Sequence, residues 1–412
     1  MCGILVSKRR DANNFFIQKR GPDLTSTIHA HGYYFTHNLL HITGKVTPQP
    51  FVDGDIVCVY NGEIYNHAYH DSDGEVLIPL YREHGEDFAR HLDGEFAVAI
   101  YDFGRGVAVF ATDPFSTKPM WRNGTEVASY LSGVGADGEQ VSPDTTVIVD
   151  LASGEAREVK RNTFDFDHQH KDSYDDWIAA FDRAMAKRAY NHSFINLSSG
   201  YDSGAIDCAL TRLGIEYKAF SIEGQENLDL LRQRNRNGTI LKIDRPIINE
   251  KRAYLRANAE PYKYRLTMPN GNLIEYDMLD DKATVGLASI YTLANQEKRR
   301  VNFSGQGADE IMSDYSQWPE ATQLKGVFPE KLAAWRNFYG NYQRAYLTKE
   351  EHVAGAYGIE TRYPFLDREV VQEFLWLTPE LKNRRYKAPL YEYLTRNGYP
   401  FDAGKKMGFL VI

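Results

Sequence analysis

The chain has little cysteine: its 412 residues include only Cys2, Cys58 and Cys208. Three thiols cannot form a disulfide framework, so the sequence does not belong to the class of small disulfide-stapled secreted domains. Cys58 and Cys208 lie in apolar runs and are predicted to be buried filler side chains. Cys2 follows Met1 directly, which makes it a candidate for an N-terminal nucleophile.

Long apolar runs and long basic runs are also missing. No stretch approaches the about 20 apolar residues of a membrane-spanning helix, and the N-terminus lacks the pattern of a signal peptide. We therefore expect a cytoplasmic protein with no membrane partner. The net charge is -8 and basic runs are short, so no nucleic-acid partner is expected. The length suits two domains, each with a sizeable core.

A stretch of small and hydroxyl-bearing residues, NLSSGYDSG at 196–204, stands between a predicted strand and a predicted helix. A short apolar run precedes it, and apolar residues at helical spacing follow it up to Gly214. Backbone N–H groups at a helix N-terminus are unpaired and attract anions. The stretch therefore predicts a phosphate-binding loop. A turn that merely caps the helix is the alternative.

Cys2 lies beside a candidate base. A small second residue permits removal of Met1, which would leave Cys2 with a free α-amino group. The pKa of such a group is about 7.7 to 8.0, so it can accept the thiol proton near neutral pH. The sequence thus predicts an N-terminal nucleophile, against the alternative that Cys2 merely belongs to an N-terminal strand.

Three motifs accompany Cys2 in the order and spacing of class II glutamine amidotransferases: RGPD at 20–23, YNGEIYNH at 60–67 and SDGEV at 72–76. On these residues the chain resembles the asparagine synthetase family. The resemblance implies that Cys2 is the nucleophile that attacks glutamine.

Four further positions carry implied roles in glutamine hydrolysis. The Asn61 side chain and the Gly62 N–H look like the oxyanion hole, a pair of donors placed where negative charge develops. Glu63 and Asp73 look like contacts to the amino group of glutamine. The Asn-Gly pair also suits a type I′ hairpin turn between strands.

One family position differs in this chain. The family holds the glutamine carboxylate with an arginine, in a segment that here reads HNLLHI at 37–42, and Leu39 occupies the arginine position. Arg20 and Lys45 are the nearest cations in the sequence, and Arg20 is our candidate for binding glutamine.

Two loops of the C-terminal half resemble the nucleotide site of ATP pyrophosphatases. SSGYDS at 198–203 matches their SGGxDS signature with a serine in place of the first glycine, and SGQGADE at 304–310 matches a second loop of the family. The implied contacts to ATP and pyrophosphate are Ser198, Ser199, Gly200, Asp202, Ser203, Ser221, Ile222, Ser304, Gly305 and Gln306. Asp202 and Asp309 are implied to share Mg²⁺, a cation that prefers carboxylate oxygens.

The last part of the chain adds the matches YGIETRYPFLD at 357–367, KAPL at 387–390 and GKKMGF at 404–409. Glu360 and Arg362 are predicted to form a buried ion pair that supports the site. Lys387 is implied to face the α-phosphate of ATP, where it would offset developing charge. The chain ends soon after the third match, which suggests a compact family member.

The predicted architecture has two domains. Residues 1–155 are expected to form an α+β N-terminal-nucleophile hydrolase sandwich, and residues 156–171 a linker. Residues 172–412 alternate strands and helices, which predicts an α/β parallel-sheet ATP-pyrophosphatase domain of the adenine nucleotide hydrolase type.

The resulting functional prediction is glutamine-dependent, ATP-consuming amide synthesis through an acyl-adenylate. The expected partners are glutamine, ATP and a carboxylic acid, and a homodimer is compatible with the sequence. Aspartate is the default acid, although Val285 and Gln306 stand where authentic asparagine synthetases carry Arg and Glu.

Two alternatives remain open. One is an ammonia-dependent or intramolecular, β-lactam-type amide synthetase with a weakened glutaminase, which Leu39 favours. The other is a non-catalytic regulatory descendant of such an enzyme, which Ser199 and the short C-terminus favour.

Overall fold

A computed structural model of the chain describes residues 1–234, 238–268, 270–316 and 322–403. The GKKMGF segment at 404–409 lies outside the described residues. The chain divides into two compact units. The first consists of Met1–Thr163, Asn258–Glu260 and Ala354–Glu360, and the second of Phe164–Ala257, Pro261–Val353 and Thr361–Ile412. Among the described helices, none is both long and apolar enough to cross a membrane.

The first unit is built on two six-stranded antiparallel sheets, ordered β10-β8-β9-β1-β3-β2 and β12-β11-β7-β6-β5-β4. The strands are β1 Gly3–Ser7, β2 Leu24–Ala30, β3 Tyr33–Leu39, β4 Phe51–Asp53, β5 Ile56–Ile64, β6 Gly94–Asp102, β7 Val107–Thr112, β8 Trp121–Asn123, β9 Glu126–Ala128, β10 Glu139–Gln140, β11 Thr145–Asp150 and β12 Ala156–Lys160. The helices are α1 Ile17–Arg20, α2 Leu77–His84 and α3 Leu131–Val134, with 3-10 turns at Asp73–Val76 and Gly85–His91.

Strand β5 shows why this unit has two apolar layers. Alternate side chains of a strand point to opposite faces, so Val57 and Val59 join one apolar cluster with residues of β1 and β3. Cys58 and Tyr60 join a second cluster on the other face, together with Leu77 of α2. Because both faces of β5 are covered, the strand reads as a nearly continuous apolar run. The predicted burial of Cys58 is confirmed, since its side chain is fully buried.

Two sequence-based expectations for this unit are wrong. Asn61 and Gly62 do not form a hairpin turn, because they lie inside β5 and pair with Ala97 and Phe96 of β6. Residues 156–160 are not linker, because they form β12 and pair along their length with β11. Most side chains of β12 are exposed, as expected of an edge strand. Its polar composition therefore resembled that of a linker.

The second unit contains a five-stranded sheet, ordered β15-β14-β13-β18-β19, and the separate hairpin β16-β17. The strands are β13 Ser193–Asn196, β14 Tyr217–Ile222, β15 Thr239–Leu241, β16 Lys263–Thr267, β17 Leu273–Asp277, β18 Val301–Phe303 and β19 Glu360–Arg362. The helices are α4 Asp175–Arg188, α5 Tyr201–Arg212, α6 Leu228–Arg234, α7 Arg245–Asn258, α8 Lys282–Gln296, α9 Ala308–Met312, α10 Arg336–Tyr339, α11 Asn341–Ala356, α12 Arg368–Trp376, α13 Pro379–Asn383 and α14 Ala388–Arg396.

The order of these strands positions the candidate nucleotide site. Strand β13 pairs in parallel with both β14 and β18. The chain proceeds outward from β13 through β14 to β15 and later continues on the other side of β13 with β18. Such a reversal is a topological switch point, where α/β sheets bind ligands beyond the carboxyl ends of their strands. The loops that follow β13 and β18 both begin there.

Candidate functional site

In the first unit, Cys2 lies immediately before β1 with a half-buried side chain. Its Sγ is 3.9 Å from the carbonyl oxygen of Leu40. Burial raises the pKa of the Cys2 thiol to about 11, and the negative charges of Glu360 and Glu63 also raise it. The thiol is therefore protonated at neutral pH. A nucleophile in this position requires a base that accepts its proton.

Arg20 is fully buried beside Cys2. Its Nε donates to the Cys2 carbonyl oxygen at 3.0 Å, and its Nη1 donates to the Tyr130 hydroxyl at 2.9 Å. Its Nη2 lies 3.1 Å from the Sδ of Met1. The amine of Met1 lies 3.3 Å from Oε2 of Glu360, and burial lowers the pKa of that amine. The Met1 side chain thus fills the space next to the arginine that we predicted to bind glutamine.

Asn61 is buried, and neither polar atom of its side chain has a hydrogen-bond partner among the described residues. Buried amides without partners are rare because they lose hydration without compensation. Gly62 has φ of 146°, and a Cβ at this position would lie 2.0 Å from the Glu95 carbonyl oxygen. Only glycine fits this approach of β6. A donor without a partner is what an oxyanion hole requires.

Glu63 and Asp73 lie in the same region of the unit. The Tyr60 hydroxyl and the Ile64 N–H each donate to Oδ2 of Asp73 at 2.7 Å. Burial raises the pKa of Asp73. Burial likewise raises the pKa of Tyr60, and the charges of Asp73, Glu63 and Cys2 reinforce this effect. The structure therefore brings the two predicted carboxylates into the electrostatic neighbourhood of Cys2.

The structure distinguishes between the two cations considered as replacements for the missing arginine. Leu39 ends β3 and is buried. Lys45 is exposed and pairs with Asp71 at 2.5 Å. Arg20, in contrast, is buried against Cys2. Of these two cations, Arg20 is the one that lies beside the candidate nucleophile.

Two buried groups of the first unit did not emerge from the sequence motifs as functional residues. Both ring nitrogens of His37 lack partners within the described part of the chain, and burial together with the N-terminal charge lowers the pKa of His37 to about 3. Lys118 forms a buried pair with Glu95 at 3.4 Å. His37 lies two residues before Leu39, so its position in the HNLLHI segment was the available signal.

In the second unit, the two candidate nucleotide loops lie against each other. The first follows β13 and leads into α5, and the second follows β18 and leads into α9. At Gly305 of the second loop, a Cβ would lie 3.0 Å from the Cβ of Asp202 in the first loop. A glycine at 305 therefore permits the close approach. The pairing of β13 with β18 brings about this contact across about a hundred residues of sequence.

Lys387 joins the two loops. Its Nζ lies 2.7 Å from both carboxylate oxygens of Asp202 and 3.0 Å from Oδ1 of Asp309. The Tyr386 hydroxyl also donates to Oδ1 of Asp309, at 2.7 Å. Burial alone would lower the pKa of Lys387, but the charges of the two aspartates outweigh it and raise the pKa well above its usual value. Three residues far apart in sequence thus form one charged cluster, the Asp202–Lys387–Asp309 cluster.

The donor set of this cluster suits Mg²⁺. The ion commonly binds one or two protein carboxylates and takes its remaining oxygens from phosphates and water. Asp202 and Asp309 supply two such carboxylates, and the ammonium group of Lys387 already occupies a cationic position between them. Among the described residues there is no group of three or more His, Cys, Asp or Glu side chains that could hold a metal without a substrate.

The first loop differs from the expectation of unpaired N–H groups. The Ser199 N–H donates to Oε2 of Glu226 at 2.6 Å, and the Gly200 N–H donates to Oγ of Ser198 at 3.1 Å. The Ser198 N–H donates to Oγ of Ser203 at 3.0 Å. The physical reason is that the serines of the loop, and a glutamate from a later segment, supply oxygen acceptors. An anion that binds here must replace some of these bonds.

The remaining predicted nucleotide contacts lie at the ends of neighbouring strands. Ser221 and Ile222 are buried and end β14, which pairs with β13. Ser304 follows β18 and donates its hydroxyl to Glu350 at 2.9 Å. The N–H of Gln306 donates back to Oγ of Ser304 at 3.2 Å.

Three side chains around these loops were missed in the sequence. Glu226 binds the first loop at Ser199, and Arg234 donates through Nη1 to the carbonyl oxygens of Ser198 and Gly200. Tyr386 contacts Asp309 in the charged cluster. Tyr386 directly precedes Lys387, so proximity to a motif was its only signal. Glu226 and Arg234 lie in a segment without a motif, and only the tertiary structure reveals them.

Comparison with protein families gives two matches. The sequence model of the glutamine amidotransferase domain family matches residues 1–136. The sequence model of the asparagine synthase family matches residues 333–397. The first match includes Cys2, Asn61 and Asp73, and the second includes Lys387.

Individual proteins resemble the chain over most of its length. A Methanocaldococcus jannaschii protein, whose name assigns it provisionally as glutamine-hydrolyzing asparagine synthetase 1, is 27% identical over 398 residues, which cover 85% of this chain and 71% of the relative. The glutamine-hydrolyzing asparagine synthetase 1 of Saccharomyces cerevisiae is 23% identical over 462 residues, which cover 97% of this chain and 80% of the relative. The glutamine-hydrolyzing asparagine synthetase 2 of Arabidopsis thaliana is 25% identical over 412 residues, which cover 89% of this chain and 67% of the relative.

Proposed function

Because the chain belongs to the asparagine synthetase family, we propose that it couples glutamine hydrolysis in its first unit to ATP-driven amide formation in its second. The Asp202–Lys387–Asp309 cluster is the observation that carries this proposal. Two carboxylates and a buried ammonium group meet at the switch point of a parallel sheet. Such a site suits the polyphosphate of a nucleotide.

In the second unit, the proposed reaction begins with the acceptor carboxylate. One of its oxygens attacks the α-phosphorus of ATP, the bond to the β-phosphate bridge breaks, and pyrophosphate leaves. Ammonia then attacks the acyl carbon of the acyl-adenylate, which yields the amide and AMP. Lys387 would neutralise charge on the phosphate oxygens in both steps.

Asp202 and Asp309 are the residues that would hold Mg²⁺ with the nucleotide. The metal would offset the charge of the polyphosphate and of the leaving pyrophosphate. Gly305 leaves room for the close approach of the two loops, and both carboxylates would then act on one substrate. Ser198, Ser199, Gly200 and Ser203 would bind the pyrophosphate portion through their N–H groups, and Ser198 and Ser203 would add their hydroxyl groups.

In the first unit, the proposed nucleophile is the Cys2 thiol after Met1 has been removed. The α-amine of Cys2 accepts the thiol proton as sulfur attacks the carboxamide carbon of glutamine. The Asn61 amide and the Gly62 N–H stabilise the resulting oxyanion, and ammonia leaves as the thioester forms. Water then hydrolyses the thioester to glutamate and restores the thiol. Arg20, Glu63 and Asp73 bind the amino-acid end of glutamine in this proposal.

Aspartate is the acceptor that we propose, with asparagine as the product. A cytoplasmic location and a homodimeric assembly complete the proposal. The buried Leu39 favours a second candidate, an ammonia-dependent or intramolecular synthetase with a weakened glutaminase, because no arginine is present at that position to bind the glutamine carboxylate.

The decisive experiment measures pyrophosphate release from MgATP with a panel of carboxylic acids, each with glutamine, with ammonium or with no nitrogen source. Release that requires aspartate and proceeds with glutamine supports the leading proposal. Release with ammonium alone supports the second candidate. Absence of release with every acid would contradict both and favour a regulatory protein. Asp202→Asn and Asp309→Asn are the matched inactive controls, and both are expected to lose ATP–pyrophosphate exchange.

A further inference from the structure

Glu226 contacts the first nucleotide loop, which follows β13 and leads into α5 and is called the phosphate loop below. One oxygen of its carboxylate, Oε2, accepts a hydrogen bond from the Ser199 N–H at 2.6 Å. The same oxygen also accepts a hydrogen bond from the Ser199 hydroxyl. The next residue, Asn227, donates its N–H to Oγ of Ser199 at 3.2 Å. The carboxylate is thus held by two donors of one loop residue.

The Ser199 N–H is one of the donors that the loop would offer to a phosphate. A carboxylate is an anion with acceptor oxygens, and it makes the same kind of charge-assisted bond to a backbone N–H as a phosphate does. We propose that Glu226 is a displaceable internal anion that holds the phosphate loop in the free protein and is released when the polyphosphate of ATP binds. This inference rests on the proposed ATP-dependent function.

The substitution at position 199 strengthens this arrangement. The family signature has glycine there, and glycine would offer Glu226 only its N–H. Ser199 adds a hydroxyl, so the carboxylate gains a second bond within the same residue. In this chain Ser199 therefore binds the internal anion, so its departure from the family signature has a structural role.

Arg234 holds the backbone of the loop through its carbonyl groups. Its Nη1 donates to the carbonyl oxygens of Ser198 and Gly200 at 2.8 and 2.7 Å. A Cβ at Gly204 would lie 3.0 Å from the guanidinium carbon, so the glycine admits this side chain to the loop. Release of Glu226 would leave these carbonyl bonds intact. The N–H side could then exchange one anion for another while the loop keeps its conformation.

The proposal predicts that loss of the Glu226 charge strengthens anion binding. In the wild type the incoming anion competes with charge-assisted bonds, and replacement of such bonds by neutral ones corresponds to about a tenfold change in affinity. Glu226→Gln keeps the shape of the side chain and removes the charge. Asp229→Asn is the matched control, because Asp229 lies three residues further on, is exposed and pairs with Arg232.

The test uses the full chain and two probes, inorganic pyrophosphate in calorimetric titration and MgATP in ATP–pyrophosphate exchange. We expect Glu226→Gln to lower the Kd for pyrophosphate and the KM for ATP about tenfold with little change in kcat. Ser199→Gly should produce a smaller change in the same direction, and Asp229→Asn should match the wild type. Glu226→Asp, which shortens the side chain, replaces Glu226→Gln if circular dichroism shows that the latter does not fold.

Two results would overturn the inference. Unchanged or weaker pyrophosphate binding by a folded Glu226→Gln protein would show that Glu226 braces the loop and does not compete with the anion. If the wild type binds pyrophosphate normally in that experiment, the proposed function stands and only the role of Glu226 fails. If neither the wild type nor any variant binds pyrophosphate or MgATP, both proposals fail together.

Discussion

Removal of the Lys387 ammonium group gives the sharpest test of the charged cluster. Lys387→Met keeps the length and the apolar part of the side chain while it deletes the positive charge. The side chain of Lys387 is 2% exposed, and its Nζ contacts carboxylates of both Asp202 and Asp309. In the variant the two aspartates face each other without this cation. Their repulsion should destabilise the second unit.

The size of the expected stability loss follows from the burial of these ion pairs. Removal of one partner of a buried ion pair costs about 3 to 5 kcal/mol. Because the side chains of Asp202 and Asp309 are 23% and 21% exposed, water screens part of the repulsion, and the lower end, about 3 kcal/mol, applies. A change of 1 kcal/mol shifts the Tm of a domain of this size by about 2 to 4 °C, so we expect a loss of about 6 to 12 °C.

Scanning calorimetry with and without MgCl₂ is the assay. We expect Mg²⁺ to restore more of the Tm of Lys387→Met than it adds to the wild type, because a divalent cation can replace the missing charge between the carboxylates. Lys218→Met is the control, since Lys218 is a partly buried lysine whose Nζ contacts the Glu297 carboxylate at 3.2 Å. Its loss should cost less than about 1 kcal/mol.

A second-site change checks the cause of the instability. If repulsion between the aspartates destabilises Lys387→Met, then adding Asp309→Asn should raise its Tm, because one of the two negative charges is gone. A double variant that is no more stable than Lys387→Met would refute the electrostatic explanation. An unchanged Tm in Lys387→Met itself would show that the ammonium group contributes little to the cluster.

Three further predictions concern the first unit. Cys2→Ala should abolish turnover with glutamine but keep turnover with ammonium salts, measured as AMP formation; equal loss with both would assign Cys2 a structural role. Leu39→Arg should lower the KM for glutamine about 10- to 100-fold if the missing arginine weakens binding, since a charge-assisted bond contributes about 1.5 to 3 kcal/mol, and an unchanged KM would indicate that Arg20 already binds the carboxylate. The folded protein keeps His37 neutral down to a pKa of about 3, whereas the unfolded chain binds a proton below about pH 6.5. Stability should therefore fall as pH drops from about 6.5 toward 3, by about 1.4 kcal/mol per pH unit from this group, and His37→Gln should show a shallower loss in calorimetric scans between pH 7 and 4.

Much of the fold could be predicted from the sequence, because strands and helices leave patterns among residues that are close together in the chain. The strand before the 196–204 stretch and the helix after it were predicted from local apolar patterns and are observed as β13 and α5, because apolar runs and helical spacing reflect the immediate surroundings of each residue. Cys58 was predicted to be buried for the same reason. Strand β12 was missed because an exposed edge strand needs no apolar pattern to pair with its neighbour β11.

The same distinction between local pattern and distant contact applies to the candidate sites. Residue types and their order are read directly from the sequence, so Cys2, Asn61, Asp202, Asp309 and Lys387 could all be selected from short motifs. Each motif encodes a local geometry, such as a loop between a strand and a helix, and local geometry is set by neighbouring residues. What the sequence could not determine is which acceptor or charge would face each group.

Those partners depend on how distant parts of the chain pack in the folded protein. Lys387 meets Asp202 across 185 positions of sequence, and Glu226 reaches Ser199 across 27. The Asn61–Gly62 pair became the interior of a strand because β6 pairs along the whole of β5, although the dipeptide alone favours a turn. Pairing register and side-chain burial depend on residues that are distant in the chain. The charge state of the phosphate loop, and whether its N–H groups are already occupied, are therefore properties of the folded molecule.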